Sequence, residues 1–173
     1  MAVFTPTWAV EAIYGLTAQS LKQQGIKAVL TDLDNTLIAW NNPDGTPELR
    51  AWLTAMKAAG ITVMVVSNNN RQRIGRAVAN LDLPFEPRAL KPLPVGIDRA
   101  VRRLGLAKSA CVMVGDQLLT DVVAGNAAGV RTILVRPLVE TDQWNTRINR
   151  FFERLIFKMM SPLHYLEELN DKH

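Results

Sequence analysis

The stretch AVLTDLDNTL, residues 28–37, places two aspartates directly after a short run of apolar residues. The run at 28–30 is too short for a helix and unbroken in its hydrophobicity, which is typical of a strand buried on both faces. Asp32 and Asp34 lie two positions apart, so on an extended chain their carboxylates point to the same side and favour a cation between them. The stretch therefore predicts a buried strand that ends in an acidic site.

Four more apolar runs of strand length follow, at residues 61–66, 88–90, 110–114 and 132–135. Helix-like segments separate them, at residues 46–59, 71–81, 94–104 and 119–128, and a further helix is predicted at about 10–24. Strands that alternate with helices are connected by right-handed crossovers and form a parallel sheet. The sequence thus predicts an α/β fold with a central parallel sheet of about five strands and helices on both faces.

The length and composition of the chain fit one folded domain. With 173 residues, of which 48% are hydrophobic and 21% charged, the chain is long enough to bury a core and is similar in composition to soluble globular proteins. We expect a single domain over residues 1–173. Within it, residues 138–173 should form a helical tail, packed on the domain or extending from it, because the alternation of strands and helices stops after Pro137. The net charge of +4 permits anionic partners, and we expect no nucleic acid partner.

The single cysteine and the amino-terminal sequence bear on the compartment. Cys111 alone allows neither an intrachain disulfide nor a cysteine-cluster zinc site, and its apolar neighbours predict a buried strand thiol, which fits a reducing compartment. The start of the chain, MAVFTPTWAV, lacks a basic segment followed by a long apolar one, and no apolar run reaches the roughly 18 residues of a membrane span. We expect a cytoplasmic protein without a transmembrane segment.

Polar residues follow four of the predicted strands. In an open parallel sheet, ligands bind at the carboxyl ends of the strands. Carboxylates from two strands would form an oxygen-rich site suited to Mg²⁺, while hydroxyl, amide and ammonium groups would bind phosphate oxygens and offset their charge. The residues at these positions are Asp32 and Asp34, then Ser67, Asn68, Asn69 and Asn70, then Lys91, and finally Gly115, Asp116 and Asp121.

Each of these groups also has an ordinary structural interpretation. Paired aspartates after a strand often form a turn or a helix cap, a serine followed by asparagines often caps a helix, and a lysine before a proline is usually solvated. Their order at four strand ends, however, matches the requirements of one kind of reaction. We therefore predict a site for phosphate chemistry.

The same residues belong to motifs that stand in a fixed order along the chain: DLDNTL at 32–37, SNN at 67–69, KP at 91–92, GDQLLTD at 115–121 and TILVRPL at 132–138. With these motifs the chain resembles phosphatases of the haloacid dehalogenase (HAD) superfamily, subfamily IIIA. It is closely similar to the YqeG-type branch, which is related to phosphatidylglycerophosphate phosphatases. The resemblance covers nearly the whole chain and implies a Rossmann-like fold.

The resemblance also implies a role for each matching residue. Asp32 would be the nucleophile that accepts the phosphoryl group as an aspartyl phosphate. Asp34 would be the acid that protonates the leaving oxygen and then the base that activates water. Ser67 and Asn68 would bind phosphate oxygens, and Lys91 would neutralise charge on the nucleophile and on the phosphoryl group. The implied enzyme is a phosphomonoester hydrolase.

Mg²⁺ is the cofactor that the resemblance implies. The carboxylate of Asp32, the backbone carbonyl of Asp34 and the carboxylate of Asp116 would hold it. Asp121 would support the ion through water or hydrogen bonds. A dianionic phosphate is repelled by a carboxylate nucleophile, and Mg²⁺ together with Lys91 would remove this repulsion.

The spacing of the motifs leaves no room for the cap domain that many members of this superfamily insert to select small substrates. Asp34 and Ser67 are 33 positions apart, and Ser67 and Lys91 are 24 apart, which is enough for a helix and a flap. Residues 40–42, which begin with Trp40, either form that flap or pack at a loop. We expect an uncapped site, of the C0 type, that is open to large or surface-bound substrates.

Other functional classes compete with a phosphatase. A receiver-type signalling module also carries an acidic cluster and a lysine on a parallel sheet, but its phosphorylated aspartate follows a later strand. A non-catalytic relative would normally lack Asp32, Asp34 or Asp116, and all three are present. A dinucleotide-binding domain would need a Gly-x-Gly-x-x-Gly motif after the first strand, which is absent. Among phosphatases, the alternative to a lipid substrate is a soluble sugar or nucleotide phosphate.

The carboxyl-terminal tail is compatible with a lipid substrate. Between residues 144 and 160, apolar side chains recur at helical spacing, and four cations accompany a single acid, Glu153. Such a helix either packs its apolar face on the domain or lies in a membrane interface that contains anionic lipid. Because the predicted site is uncapped and the chain resembles relatives of phosphatidylglycerophosphate phosphatases, we hypothesise that the protein docks reversibly on a membrane and hydrolyses phosphatidylglycerophosphate.

Overall fold

Strands and helices alternate along the chain in this computed structural model, which describes residues 3–39, 41–139 and Arg154. The strands are β1 (Trp8–Val10), β2 (Ala28–Thr31), β3 (Thr62–Val66), β4 (Phe85–Glu86), β5 (Cys111–Gly115) and β6 (Arg131–Val135). The helices are α1 (Ala18–Gln23), α2 (Pro47–Ala58), α3 (Arg71–Val78), α4 (Val95–Leu104) and α5 (Val123–Ala128). A π-helical turn, Leu118–Val122, leads directly into α5.

The strands form one sheet in which every pair is parallel, in the order β1-β6-β5-β2-β3-β4. The chain runs outward from the central strand β2, first to β3 and β4 on one side and then to β5 and β6 on the other. In parallel sheets, such a reversal of strand order opens a ligand-binding crevice at the carboxyl ends of the strands next to it, which here are β2 and β5. The predicted parallel α/β fold is confirmed.

Side chains that alternate along the strands pack against helices on both faces of the sheet. Val29 and Val112 lie on the face that α1, α2 and α3 cover, whereas Leu30 and Met113 lie on the face that α4 and α5 cover. Cys111 is buried on the second face, as predicted, and burial raises the pKa of its thiol. The central strands are buried on both faces, which explains their unbroken apolar sequence.

The amino-terminal segment differs from the predicted helix at 10–24. Trp8–Val10 forms β1 and pairs with β6, and within the segment only Ala18–Gln23 is α-helical. The apolar residues of β1 are buried against the edge of the sheet. Thr17 then begins α1, because its hydroxyl oxygen accepts a hydrogen bond from the backbone N–H of Ser20 at 3.1 Å. Pairing with β6 thus outweighs the helical periodicity of the first residues.

The strand predicted at 88–90 is displaced as well. The strand in this region is β4, Phe85–Glu86, which pairs with the end of β3. Arg88 and Leu90 have φ values of 47° and 58°, and a strand cannot contain such left-handed residues. Residues 88–90 therefore form the turn that brings the chain from β4 to the following lysine.

Neither interval between the motifs holds a further domain in the described part of the chain. From Asp34 to Ser67 the chain forms a loop, α2 and β3, and from Ser67 to Lys91 it forms α3 and β4. The helix α2 begins at the predicted place, because the hydroxyl oxygen of Thr46 accepts a hydrogen bond from the N–H of Leu49 at 3.2 Å. The uncapped architecture is confirmed.

Two sequence predictions concern residues outside the described ones, namely the flap or packing role of Trp40 and the helix at 144–160 in the tail 138–173. The single domain over residues 1–173 also stays a prediction. Within residues 3–39 and 41–139, no helix has the length and apolar character needed to cross a bilayer.

Candidate active site

Asp32 stands at the centre of the site because it directly follows the central strand β2. Its backbone N–H donates to the carbonyl of Val114 at 3.0 Å, which extends the pairing of β2 with β5 by one residue. Thr31 donates its hydroxyl hydrogen to the carbonyl of Asp32 at 2.8 Å. These bonds fix the backbone of Asp32 at the end of the strand, while its side chain remains 14% exposed.

Lys91 reaches the same point from the turn after β4. Its ammonium lies 3.0 Å from Oδ1 of Asp32 and 2.6 Å from Oδ1 of Asp121. Burial by itself lowers the pKa of this lysine, but the charges of Asp121 and Asp32 outweigh burial, and the pKa is raised. The structure therefore holds a charged lysine between two carboxylates.

Three of the predicted metal ligands lie together. Carboxylate oxygens of Asp32, Asp116 and Asp121 are all within 4.8 Å of one another. When all three carboxylates are ionised around the single ammonium of Lys91, the cluster has two negative charges in excess, which one divalent cation would balance. A set of oxygen donors alone suits Mg²⁺. The residues present thus fit such an ion.

Burial acts strongly on two carboxyls of this acidic cluster. Burial, followed by the charge of Asp32, raises the pKa of Asp116 to about 6, against 3.8 for an ordinary aspartate. The same two causes raise the pKa of Asp121 to about 7, although the contact with Lys91 opposes them. A cation bound among these carboxylates would lower both pKa values.

The loops around the acidic cluster hold its members in place. Thr36, from the loop after β2, donates its hydroxyl hydrogen to Oδ1 of Asp116 at 3.1 Å. The backbone N–H of Gln117 donates to Oδ2 of Asp121 at 3.2 Å. Gly115 leaves room for Asp121, since a Cβ at this position would overlap the carboxylate. Thr36 and Gly115 belong to the sequence motifs, but the sequence alone does not show which residue each one supports.

Asp34 is not part of the acidic cluster. Its carboxylate accepts two hydrogen bonds from the guanidinium of Arg73, at 2.8 and 3.1 Å, and one from the side-chain amide of Asn69, at 3.1 Å. The side chain of Asp34 is 42% exposed and that of Arg73 is 53% exposed. Sequence reasoning missed Arg73, because Arg71, Arg73 and Arg76 are indistinguishable by composition in the basic helix α3.

Ser67 is buried at the end of β3 with its hydroxyl hydrogen available. Its Oγ accepts a hydrogen bond from the backbone N–H of Asn69 at 3.2 Å and another from the side-chain amide of Asn69 at 3.0 Å. Because a hydroxyl has two lone pairs and one hydrogen, these bonds leave the hydrogen to be donated. The group is thus prepared for an acceptor such as a phosphate oxygen.

The side chain of Asn68 binds the backbone of Lys91 in both directions. Its Oδ1 accepts from the N–H of Lys91 at 2.8 Å, and its Nδ2 donates to the carbonyl of Lys91 at 3.0 Å. Asn68 therefore positions the lysine that contacts Asp32. A direct contact of Asn68 with substrate stays a prediction.

Comparison with known proteins supports the family that the motifs indicate. Residues 89–150 match the family model described as HAD-hydrolase-like. The probable phosphatase YqeG of Bacillus subtilis is 45% identical over 164 residues, which make up 95% of either chain. The chain belongs to the YqeG family of haloacid dehalogenase-like phosphatases. The resemblance read from the sequence is confirmed.

Other known proteins are similar to the chain over a smaller share of their sequence or in fold alone. Phosphatidylglycerophosphate phosphatase 1, chloroplastic/mitochondrial, of Arabidopsis thaliana is 30% identical over 147 residues, which are 80% of this chain and 42% of that protein. A haloacid dehalogenase-like hydrolase from Bacteroides fragilis has a TM-score of 0.58 at 18% identity, covering 68% of this chain and 91% of its own. A 4-nitrophenylphosphatase from Thermotoga maritima has a TM-score of 0.60 at 16% identity, covering 74% and 92%. The two structures share the fold.

Proposed function

We propose that the protein is a Mg²⁺-dependent phosphomonoesterase that acts through an aspartyl phosphate on Asp32. The observation that carries this proposal is the contact of Lys91 with Asp32 and Asp121, beside Asp116, at the ends of two central strands. A phosphate at this point meets a nucleophile, a fixed ammonium and ligands for a divalent cation. Membership of the YqeG family supports the same chemistry.

In the first half-reaction, a carboxylate oxygen of Asp32 attacks phosphorus while the bond from phosphorus to the leaving oxygen breaks. Oδ1 of Asp32 accepts from Lys91, whereas Oδ2 accepts no hydrogen bond from residues 3–39 and 41–139, so we assign Oδ2 as the attacking atom. Asp34 gives a proton to the leaving oxygen, and the alcohol departs neutral. In the second half-reaction, Asp34 takes a proton from water, whose oxygen attacks phosphorus and releases phosphate and the free carboxylate.

Asp32, Asp116 and Asp121 would hold the Mg²⁺ ion, and the backbone carbonyl of Asp34 is a further proposed ligand. When bound, the ion supplies positive charge at the phosphoryl oxygens. The hydroxyl of Ser67 donates its available hydrogen to one of these oxygens and fixes the orientation of the phosphoryl group.

As the substrate we propose the phospholipid phosphatidylglycerophosphate. The uncapped site admits a bulky head group, and the Arabidopsis relative described above is a phosphatase of this lipid by name. The enzyme would be cytoplasmic and would bind the membrane peripherally, with the helix predicted at 144–160 adding attraction to anionic lipid.

Exposed leucines beside the site support a membrane-bound substrate. Leu90 and Leu93 flank Lys91 and are 56% and 58% exposed, and Leu119, two positions before Asp121, is 66% exposed. Leu90 also has a φ of 58°, an unfavourable value for a leucine. We call these three residues the leucine rim. Apolar side chains at the mouth of a site can enter the interface of a bilayer and bring the site to its lipid.

The test is phosphate release from a panel of phosphomonoesters, with Mg²⁺ and with a chelator in its place. The panel contains phosphatidylglycerophosphate in vesicles, glycerol 3-phosphate, sugar phosphates and nucleotides. We expect Mg²⁺-dependent release that is fastest from the lipid. Release from soluble esters but not from the lipid would contradict the proposed substrate, and no release from any ester would contradict the proposed phosphatase.

A further inference from the structure

A pocket of about 620 Å³ lies beside Asp34, between the loop after β2 and the helix α3. The loop supplies an apolar wall, and the helix supplies two guanidinium groups. The volume is typical of sites for small organic ligands. The wall includes Leu33, Ile38, Ala39 and Pro43, and the guanidinium groups belong to Arg73 and Arg76.

The pocket offers two guanidinium groups to an anion once one ion pair opens. Arg73 is paired with Asp34, whereas Arg76 has no acidic partner among residues 3–39 and 41–139. The other acid that lines the pocket is Asp44, on the loop opposite α3. An anion that replaced Asp34 on Arg73 could accept hydrogen bonds from two guanidinium groups, those of Arg73 and Arg76.

Asp34 and Arg73 both line the pocket, and Asp34 is also the acid of the proposed reaction. Both carboxylate oxygens of Asp34 accept hydrogen bonds from Arg73, and we infer that this pair opens when Asp34 acts on a leaving-group oxygen. An exposed ion pair contributes little to stability, and an exchange of partners therefore costs little. If Asp34 acts on the leaving oxygen, the leaving alcohol lies on this side of the site, next to the pocket.

We propose that this pocket binds the leaving alcohol of the substrate and selects alcohols that carry a second anionic group, which Arg73 and Arg76 bind. The inference rests on the proposed function of Asp34. A phosphodiester matches the chemistry of the pocket, because guanidinium groups bind phosphate oxygens through paired N–H bonds and the apolar wall can contact glycerol carbons. Arg73 exchanges Asp34 for the phosphodiester as substrate binds, and it returns to Asp34 after the aspartyl phosphate has been hydrolysed.

The test compares two substrates in which the phosphate to be removed is esterified to a glycerol. One is glycerol 3-phosphate, and the other is glycerophosphoglycerol phosphate, whose leaving glycerol also carries a phosphodiester. The ratio of their kcat/KM values is measured for the wild type and for the variants Arg73→Gln, Arg76→Gln and Arg71→Gln. Arg71 is the matched control, because it belongs to the same helix, lies over the ring of Phe85 at 5.6 Å and does not line the pocket.

We expect the wild type and Arg71→Gln to prefer the substrate with the phosphodiester by about tenfold or more. Each of Arg73→Gln and Arg76→Gln should lose most of this preference. Binding of both substrates is measured in parallel by calorimetry with Asp32→Asn added to each protein, and the same order of affinities is expected.

Equal preference in all four proteins, by rate and by binding, would overturn the assignment of the pocket and leave the proposed phosphatase intact. Failure of the wild type to hydrolyse either substrate with Mg²⁺ would instead overturn the proposed function. In that case the binding comparison alone decides on the pocket, and equal affinities in the Arg73, Arg76 and Arg71 variants would reject it.

Discussion

The carboxylate of Asp121 packs directly against the α-carbon of Gly115 at the end of β5. A Cβ at position 115 would overlap the side chain of Asp121, so the contact requires glycine. From this position Asp121 lies 2.6 Å from the ammonium of Lys91. Gly115, at the end of β5, thus helps to fix the position of Lys91, which follows β4.

Gly115→Ala should therefore displace Asp121 and impair the reaction while the fold persists. A displacement of about 1 Å in a catalytic group can lower a rate by about a hundredfold, and we expect a loss of this order in kcat/KM. Gly75→Ala is the matched control, because a Cβ at position 75 makes an ordinary contact with Phe85 at 3.6 Å. Wild-type kcat/KM in Gly115→Ala would show that the position of Asp121 does not matter.

The raised pKa values of Asp116 and Asp121 predict how metal and pH act together. Burial raises the pKa from 3.8 to about 6 for Asp116 and to about 7 for Asp121. From pH 3.8 to about 7, the folded metal-free protein therefore holds more protons than the unfolded chain. Its free energy of unfolding therefore falls as pH rises through this window. Mg²⁺ binds the deprotonated carboxylates, so its affinity rises over the same window.

Thermal unfolding with and without Mg²⁺ checks this prediction. The increase in melting temperature that Mg²⁺ causes should be larger at about pH 8 than at about pH 5. Asp116→Asn, which removes one of the two titrations, should reduce this difference. An equal increase at both pH values would contradict the proposed metal site.

Asp116→Ala should weaken the binding of Mg²⁺ by at least about tenfold, because it removes one of three clustered carboxylates. High Mg²⁺ concentrations should restore part of the activity, since the other ligands persist. The measurement is a Mg²⁺ titration of activity, together with calorimetry. Asp98→Ala removes a carboxylate that is paired with Lys108 outside the site and serves as the control. An unchanged titration in Asp116→Ala would assign Asp116 a purely structural role.

Replacing the three residues of the leucine rim with asparagine should lower the ratio of vesicle hydrolysis to hydrolysis of glycerol 3-phosphate by about tenfold or more. Each buried leucine contributes roughly 1.5–3 kcal/mol when it leaves water, and asparagine tolerates the φ of Leu90. Phe4→Asn is the control, because Phe4 is 59% exposed but precedes β1, whereas the rim residues follow the carboxyl ends of β4 and β5. An unchanged ratio in the rim variant would exclude the rim from membrane binding.

The sequence predicts most of the sheet because strands that are buried on both faces leave unbroken apolar runs, as at residues 28–30 and 110–114. The strand Trp8–Val10 escaped prediction because it is short and its partner, β6, lies more than a hundred residues away. Residues 88–90 were mistaken for a strand because their left-handed φ values depend on the fold rather than on residue type.

The candidate site, like the sheet, could be predicted only in part from the sequence. The acidic residues at strand ends could be predicted because topology alone brings those ends together. The pairing of Arg73 with Asp34 could not, since it depends on which face of α3 meets the loop after β2. Composition and spacing also do not show that the side chain of Asn68 binds the backbone of Lys91, or whether it contacts substrate as well.

The central claim is that Asp32 is the nucleophile, and hydrolysis by Asp32→Asn tests it most directly. An amide cannot form the acyl phosphate, so kcat should fall by at least about a thousandfold while substrate still binds. Asp82→Asn makes the same change at an exposed residue whose φ of 52° suits asparagine, and it should retain wild-type activity. Mg²⁺-dependent phosphate release by Asp32→Asn at a rate near that of the wild type would contradict the account.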